Sequence, residues 1–260
     1  MKLNYKHALT MFCAAIVPFQ AAQAMTVQPV VIDLQTAGRQ MSQTITVENT
    51  FATPLPVELT VQELELGTDG VKQTGKDPGD LLVFPPQTII APGQTQTFRV
   101  QYVGDPALAK SKHYYVTVAQ LPIKLPEGQS AIQILYNFQV LISVAPLGLK
   151  PKIDVQSAEV TVGKDGKAYP TVTVVNESPA HGYLSNGHIH VTEKDKSGAQ
   201  IFSKTLSGAE IQQTMGFGLI GGGQTRRVAV PVVLPSAEGT VEASFVLDNR
   251  PWSTGGNISA

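Results

Sequence analysis

The chain has 260 residues, of which 42% are hydrophobic and only 15% are charged, and its formal net charge is −1. A nucleic-acid-binding protein usually carries a strongly basic surface, so this charge balance argues against that class. The 23 glycines and 18 prolines, together with few charged residues, are typical of many short strands joined by turns.

The first 24 residues have the composition of a secretory signal peptide. Lys2 and Lys6 precede an apolar stretch over residues 8–19, and Ala22-Gln23-Ala24 is a small-x-small cleavage pattern. The apolar stretch is about twelve residues long, shorter than the roughly 20 needed to cross a bilayer. We therefore expect cleavage after Ala24, export of the chain and no membrane anchor.

The mature chain is expected to contain no disulfide and no thiol chemistry, because Cys13 is the only cysteine and lies in the signal segment. Cleavage removes two of the 19 basic residues and none of the 20 acidic ones, which leaves a formal charge of −3. The roughly 236 residues that remain are enough for two domains of about 100–120 residues, each with its own core.

Residues 25–145 predict one immunoglobulin-like β-sandwich. The apolar segments are short, rich in β-branched residues and separated by turns such as Asp77-Pro78-Gly79-Asp80 and Ala91-Pro92-Gly93. The predicted strands are 30–34, 44–47, 57–61, 97–103 and 114–118, followed by a much longer one. About seven short strands with turns every 8–12 residues are typical of this fold. No apolar period of 3.6 residues persists long enough here to predict a helix.

The longest predicted strand, 131–144, carries the main functional signal. Every even position from 132 to 144 is apolar, a period of two that is typical of a strand. No charged residue or proline occurs from 130 to 145, although exposed strand edges usually contain such residues because they prevent aggregation. We therefore interpret this strand as an edge that binds a partner. The side chains expected to contact the partner are those of Ile132, Ile134, Tyr136, Phe138 and Val140.

A second strand-rich block follows a short connection. Residues 146–152 contain two prolines and a glycine and are predicted to form a hinge. Residues 153–249 predict a second β-sandwich, and 250–260 a loosely ordered tail. Its predicted strands are 158–162, 171–175, 188–192, 201–204, 225–233 and 239–247. The predicted fold class is therefore all-β, with two immunoglobulin-like β-sandwich domains joined by a short hinge.

The sequence contains no recognisable catalytic motif. Gly221-Gly222-Gly223 precedes a strand and lacks the lysine and helix start of a phosphate-binding loop, so it is interpreted as a turn. His188 and His190 would share one face of a strand, with His181 nearby, and three imidazoles can bind a metal. Without a second ligand cluster, surface or hydrogen-bonded histidines are favoured. We expect no enzyme activity, no metal and no cofactor.

Two other polar pairs have alternative interpretations. Tyr114-Tyr115 could form a carbohydrate-binding platform, since exported sandwiches often bind sugars. However, Tyr114, Val116 and Val118 share one face at strand spacing, which favours a core position for Tyr114. Arg226-Arg227 opens a strand and is interpreted as a solvated edge, with a partner contact as the alternative.

Taken together, these features resemble the periplasmic chaperones of chaperone–usher pili. The similarity rests on two exported, cysteine-free sandwiches and on the segments around them. These are the Pro92-Gly93 turn leading into 94–100, the tract 114–122, the long strand ending at Pro146, and the turn and strand of 221–227. The resemblance implies that the protein lends its long strand to incomplete immunoglobulin-like pilus subunits in the periplasm, until a neighbouring subunit replaces it at an outer-membrane usher.

One feature departs from the best-known members of this family, which bind the terminal carboxylate of the subunit with an arginine on the first strand and a lysine on the long strand. Here Asp33 is the only charged residue of 27–34, and Leu141 stands at the matching position of the long strand. The departure resembles the archaic branch of the family, which lacks that pair. Lys112 is the first candidate for the carboxylate, because antiparallel pairing would place it beside the end of the long strand. Arg99 is the second, although its position is equally compatible with a surface arginine.

Other functions remain open at this point. An exported structural or adhesive fibre subunit would need an apolar donor extension near 26–34 and an incomplete sandwich, whereas both predicted domains have full sets of strands. An exported enzyme is the least favoured, because no acid, base and nucleophile can be assigned. An unpaired strand this apolar also predicts protection in the free protein, through self-association or through ordering of residues 121–130 over it.

Overall fold

The structure, a computed structural model, describes residues 25–123 and 134–248. Within these residues the chain forms eighteen β-strands and one short α-helix, which confirms the predicted all-β class. The strands divide at the connection 146–152, which contains no strand. We call the part containing β1–β10 the first domain and the part containing β11–β18 the second domain.

The first domain consists of two packed sheets. Its strands are β1 (Met25–Gln28), β2 (Val31–Gln35), β3 (Ser42–Asn49), β4 (Leu55–Leu66), β5 (Val71–Gln73), β6 (Leu81–Phe84), β7 (Gln87–Ile90), β8 (Thr95–Tyr102), β9 (Lys112–Gln120) and β10 (Asn137–Ala145). One sheet has the order β1-β3-β8-β6. The other has the order β2-β10-β9-β4-β5, with β7 also paired to β4.

The two sheets enclose one hydrophobic core, because alternate residues of each strand point between them. Phe98, Val100 and Tyr102 of β8 are buried there, and so are Tyr114, Val116 and Val118 of β9. Full burial of side chains of this size stabilises the fold by about 1.5–3 kcal/mol each. Tyr114 is therefore a core residue, as the alternation along its strand predicts.

The second domain has three smaller sheets. Its elements are β11 (Ile153–Val162), β12 (Ala168–Asn176), β13 (Gly182–Tyr183), β14 (Gly187–Lys194), β15 (Gln200–Leu206), α1 (Gly208–Met215), β16 (Leu219–Ile220), β17 (Thr225–Ala229) and β18 (Thr240–Leu247). The sheets have the orders β11-β12-β17, β13-β16 and β15-β14-β18. They share a core that includes Val172, Val174, Ile189, Val191 and Leu184.

Helix α1 is an element that the strand pattern does not predict. It begins after Ser207, whose hydroxyl accepts a hydrogen bond from the Glu210 N–H at 3.3 Å. The Glu210 carboxylate in turn accepts a bond from the Ser207 N–H at 2.8 Å, which completes a capping box. Ile211 is fully buried, so the helix closes part of the second core.

Candidate functional site: the open edge of strand β10

Strand β10 has neighbours on both sides along only part of its length. On one side it pairs antiparallel with β9 from Asn137 to Val144. On the other side it pairs in parallel with β2, from Leu141 to Ala145. Residues 137–140 therefore have one side that pairs with no strand in the described part of the chain. We call this side the open edge.

The hydrogen bonds of β10 show which backbone groups face β2. The N–H of Leu141 donates to the carbonyl of Val30 at 2.9 Å, and the carbonyl of Ala145 accepts from the N–H of Thr36 at 3.2 Å. Both β10 residues have odd numbers. Successive residues of a strand direct their backbone groups to opposite sides, so the odd-numbered residues of β10 all face this side.

The same alternation assigns the backbone groups of the open edge. On the β9 side, the carbonyl of the even-numbered Tyr136 accepts from the N–H of Gln120 at 2.9 Å. Asn137 and Gln139 are odd-numbered and therefore direct their N–H and C=O groups to the open edge. An added strand would pair with these groups, in line with β2.

The predicted contact side chains lie in different environments. Val140 is only 1% exposed and belongs to the core of the first domain. Tyr136 and Phe138 are half-buried and pack against that core. Ile134 is 70% exposed. Ile132 lies among residues 124–133, outside the described residues. From Val140 back to Ile134, the apolar face of this segment thus passes from the core to the surface.

The regular strand is shorter than the predicted 131–144. Strand β10 begins at Asn137, and residues 134–136 have no regular secondary structure. The carbonyl of Tyr136 still accepts the N–H of Gln120, but the N–H of Tyr136 donates to the side-chain Oε1 of Gln120 at 3.3 Å instead of to its backbone carbonyl. The regular ladder between β10 and β9 therefore begins only at Asn137.

Lys112, the first candidate for a carboxylate, lies opposite Val144 on the neighbouring strand. Its ammonium is 2.8 Å from Asp80 Oδ2 and 4.0 Å from Glu63. The hydrogen bond to Asp80 raises the pKa of Lys112. Burial would raise the pKa of Asp80, but the hydrogen bonds from Lys112 and Tyr114 outweigh it and the pKa is lowered. Lys112 therefore already has an anionic partner.

Arg99, the second candidate, lies on β8 in the opposite sheet. Its side chain is exposed, and Nε donates to Ser42 Oγ at 2.8 Å. It stands opposite Thr44 on one side and Phe84 on the other. The structure therefore places the two candidate cations on different sheets and does not bring them together.

A buried polar cluster between the two domains is the main feature that the sequence patterns do not predict. Asp33, Ser143 and His113 are adjacent across β2, β10 and β9. They alternate with core residues and so face away from the first core. The Asp33 carboxylate accepts a hydrogen bond from the hydroxyl of Tyr183 at 2.7 Å and is 2.8 Å from Nε2 of His181. Both partners belong to the second domain.

The cluster continues through His113. Nδ1 of His113 is 2.9 Å from Ser143 Oγ, and Nε2 is 3.2 Å from Ser111 Oγ. The N–H of Gly222 donates to Ser111 Oγ at 2.8 Å. Burial lowers the pKa of His113 well below its usual value, and the nearby His181 lowers it further. We call these residues the domain junction; its members are Asp33, Ser111, His113, Ser143, His181, Tyr183 and Gly222.

The triple-glycine turn is part of this junction. A Cβ atom on Gly222 would collide with the carbonyl of Pro179, so only glycine fits there. Two residues on, the Gln224 amide donates to the carbonyl of Gly67 at 2.8 Å. The N–H of Arg227 donates to Thr68 at 2.8 Å. The turn therefore binds the second domain to the first.

The three histidines do not meet in one site, and the two arginines of β17 point in different directions. His188 and His190 on β14 contact Asp248 and Thr205, whereas His181 is in the domain junction. The structure therefore does not bring the three histidines into one site. Arg226 turns inward and donates to the carbonyl of Leu219 at 2.5 Å, while Arg227 forms an ion pair with Glu159 at the surface.

The chain matches one protein-family model and has the fold of solved pilus chaperones. Its fold resembles a chain of the chaperone–tip adhesin complex of CFA/I fimbriae, with a TM-score of 0.50 and 12% identity over 85% of this chain and 98% of that chain. The class 5 fimbriae chaperone CfaA has a TM-score of 0.49 and 12% identity, over 85% of this chain and 98% of that chain. A chain of the CsuC–CsuE complex of Acinetobacter baumannii has a TM-score of 0.47 and 11% identity, over 82% of this chain and 94% of that chain.

At these identities the structural similarity concerns the fold alone. No curated protein is significantly similar to the sequence. In the described ranges 25–123 and 134–248, no helix is long and apolar enough to cross a membrane. Residues 24–150 match the model described as the pili and flagellar-assembly chaperone, PapD N-terminal domain. The first domain therefore belongs to the family of pili and flagellar-assembly chaperones.

Proposed function

We propose that the protein is a periplasmic chaperone that binds, folds and caps pilus or fimbrial subunits by donor-strand complementation and delivers them to an outer-membrane usher. The family match supports the chaperone class. The single observation that carries the mechanism is the open edge of β10, which is continuous with an apolar face leaving the core. An edge of this kind can complete the sheet of an incomplete partner.

Backbone and side chains have different tasks in this mechanism. The N–H and C=O groups of Asn137 and Gln139 pair with the edge strand of the subunit, whatever its sequence. Ile134, Tyr136 and Phe138, together with Ile132, fill the groove where the subunit lacks a strand, and they set the register. Val140 contributes from within the core, where it supports Phe138 from the same face.

The position of β2 limits where the subunit strand ends. From Leu141 onward the side of β10 is taken by β2, so an added strand ends beside Val30. A terminal carboxylate arriving there needs a cation or several N–H donors, because an unpaired buried charge is costly. Lys112 remains our first candidate. The terminal carboxylate would share the Lys112 ammonium with Asp80 or displace Asp80 from it. Arg99 is less favoured because of its place on the other sheet.

The proposal includes the organisation of the whole chain. Residues 1–24 are the cleaved signal peptide, 25–145 the domain that provides the donor strand, 146–152 the connection and 153–249 the second domain. The missing Arg and Lys pair supports membership of the archaic branch as part of this proposal. A fibre subunit is disfavoured, because the first sandwich contains its own β10 and needs no donor. Without a client, self-association through the open edge is the expected form of protection.

The test replaces one exposed isoleucine at a time with aspartate. Ile134→Asp places a charge in the groove of the subunit and should abolish co-purification of a co-expressed pilus subunit, because a charge buried without a partner is strongly unfavourable. Ile89→Asp on β7 is the matched control, since both isoleucines are 70% exposed and neither is needed for the core. The control should capture the subunit like the wild type. Capture by Ile134→Asp at the wild-type yield would refute the donor-strand assignment.

A further inference from the structure

The hydrogen bonds of the domain junction form one chain, in which every hydrogen finds an acceptor when His113 is assigned the tautomer with its hydrogen on Nδ1. The N–H of Gly222 donates to Ser111 Oγ at 2.8 Å, and the Ser111 hydroxyl hydrogen can then point to Nε2 of His113 at 3.2 Å. With Nε2 accepting, a neutral His113 carries its hydrogen on Nδ1 and donates it to Ser143 Oγ at 2.9 Å.

The chain ends at a carboxylate of the first domain. The hydroxyl of Tyr183 lies 2.7 Å from Asp33 and 3.2 Å from Ser143. An ionised carboxylate only accepts, so the single Tyr183 hydrogen goes to Asp33, and the Ser143 hydroxyl hydrogen goes to the Tyr183 oxygen. The chain passes from one domain to the other at Gly222, Tyr183 and His181. These three contacts hold the domains together, and the bonds of His113 orient the first-domain side chains that receive them.

A second proton on His113 is incompatible with this order. It would add an N–H at Nε2, facing the hydroxyl hydrogen that Ser111 directs there. Ser111 would have to turn that hydrogen away, in a site where His113 and Ser111 are both buried. A buried donor without an acceptor is costly. Burial and the His181 ring, whose centroid is 5.3 Å away, also keep the pKa of His113 low.

The groups that surround His113 from other elements do not offset the added charge. His181 packs on it edge to face, and Tyr183 and Asp33 follow beyond Ser143. From β4 the neighbour is Leu64, which is uncharged, and from the glycine turn it is Gly221. Lys112, Tyr114 and Asp80 bind one another on the opposite face of β9. Among the residues that the structure describes, Asp33 is the anion found on this side, and His181 and Tyr183 already bind it.

We propose that the domain junction is a pH-responsive lock, in which uptake of a proton by His113 breaks the hydrogen-bond chain and lets the second domain move away from the first. The direction of the pH effect on opening follows from the opened form, in which His113 is solvated and takes up a proton below about pH 6.5. The closed form binds that proton more weakly. Below this pH the opening equilibrium constant rises about tenfold per pH unit, until the closed form is itself protonated.

The opening is a property of the free chain, and only its use in subunit capture or release rests on the proposed function. The position of the domain junction links its opening to subunit capture or release. Ser143 and Asp33 belong to the part of β10 and β2 that borders the open edge, so opening changes the surroundings of the place where a subunit strand would end.

The test measures hydrogen exchange of the free mature protein by NMR at about pH 7.5 and about pH 5.5, on either side of the usual histidine pKa. The reporters are two amides that donate across the junction, Ser111 to Pro179 and Arg227 to Thr68. Leu141 and Val230 are controls, because they donate within one domain. After correction for intrinsic exchange, opening at the reporters should increase about tenfold per pH unit below about 6.5, and the controls should not change.

Two matched variants identify the residue. His113→Gln cannot take up a proton and should abolish the pH dependence at the reporters. His181→Gln keeps an N–H donor for Asp33 and should retain the pH dependence at the reporters. An NMR titration of His113 in the wild type covers the case in which His113→Gln does not fold, and it should show a depressed pKa. The proposal fails if the reporters are pH-independent, if the dependence persists in His113→Gln or is lost in His181→Gln, or if His113 titrates at its ordinary pKa. None of these results depends on capture of a subunit by Ile134→Asp.

Discussion

Lys112 is bound by acidic residues before any ligand arrives. Its ammonium contacts Asp80 at 2.8 Å, and the hydroxyl of Tyr114 donates to the same carboxylate oxygen at 2.7 Å. Because the pKa of Asp80 is lowered, this pair contributes to stability at neutral pH, and the contribution falls as the pH drops through that lowered value. A ligand carboxylate must therefore compete with Asp80 or share Lys112 with it.

Replacement of Lys112 tests its role as a carboxylate anchor. Lys112→Ala should weaken subunit capture by a charge-assisted contact of about 1.5–3 kcal/mol. Asp80→Asn removes the competing charge and should leave capture unchanged or increase it. Affinity for a purified subunit is the measurement, in variants that keep the wild-type melting temperature. Arg99→Ala is the comparison, and unaltered binding by both alanine variants would mean that backbone N–H groups or another residue hold the carboxylate.

At single residues, alternation along a strand predicts burial but not polar contacts across the chain. It places Tyr114, Val116 and Val118 in the core correctly. It also puts Asp33 on the opposite face, yet the partners of Asp33 lie 148 and 150 residues further along the chain. A local sequence pattern spans too few residues to connect such distant partners, so the domain junction could only be found in the folded molecule.

At the scale of elements, the sequence predicts the kind of strand better than its limits. The period of two around β10 is correct, but its regular part starts at Asn137 because the N–H of Tyr136 bonds to the side chain of Gln120 instead of to its backbone. Strands β6 and β7 flank Pro85-Pro86, and prolines weaken a strand prediction because they lack the N–H donor. Both are short edge strands, where proline is tolerated.

Helix α1 could have been predicted from its capping box. Ser207 followed by Glu210 is the Ser-x-x-Glu pattern of a helix start. The apolar period of this helix is weak, since Ile211 is its only fully buried side chain. The signal was therefore in the cap rather than in the hydrophobic pattern.

The cap provides a stability prediction for the second domain. Ser207→Ala removes the acceptor of the Glu210 N–H and should lower the free energy of unfolding by about 1 kcal/mol. Ser197→Ala, in the exposed turn between β14 and β15, removes a hydroxyl that bonds to the nearby Asp195, and should have a smaller effect. Urea unfolding monitored by circular dichroism is the measurement. An equal loss in both variants would contradict a specific capping role.

At the scale of the whole molecule, the domains are joined by a buried junction as well as by the connection 146–152. Hydrogen bonds from Gly222, Gln224 and Arg227 reach the first domain, and Asp33 reaches the second. The sequence predicts a two-domain protein from its two strand-rich blocks. It does not predict that the triple-glycine turn packs between them, because glycine in a turn has no apolar pattern to indicate a contact.

Gly222 tests the importance of this packing. Gly222→Ala places a Cβ against the carbonyl of Pro179, which accepts the N–H of Ser111 from the first domain. The clash should displace both contacts with Ser111 and separate the domains, with a loss of stability of about 1–3 kcal/mol. Gly223→Ala lies in the same turn with open space at Cβ, and its cost should come only from a positive φ of 67°. Small-angle scattering should show a larger radius of gyration for Gly222→Ala alone. Equal scattering of both variants would show that the junction tolerates the extra atom.

The parallel pairing of β2 with β10 also has a consequence for the order in which the protein folds. Val31 pairs with Leu141, 110 residues later, and β2 has no other neighbour in its sheet among the described strands. A chain made or translocated from its N-terminus therefore carries β2 without a partner until nearly the whole first domain has emerged. Contacts this distant in sequence slow folding, so closure of β2 on β10 should be a late step. Until then, the nascent protein has a longer open edge on β10 than the finished one, and it briefly resembles the incomplete sheets that it is proposed to complete.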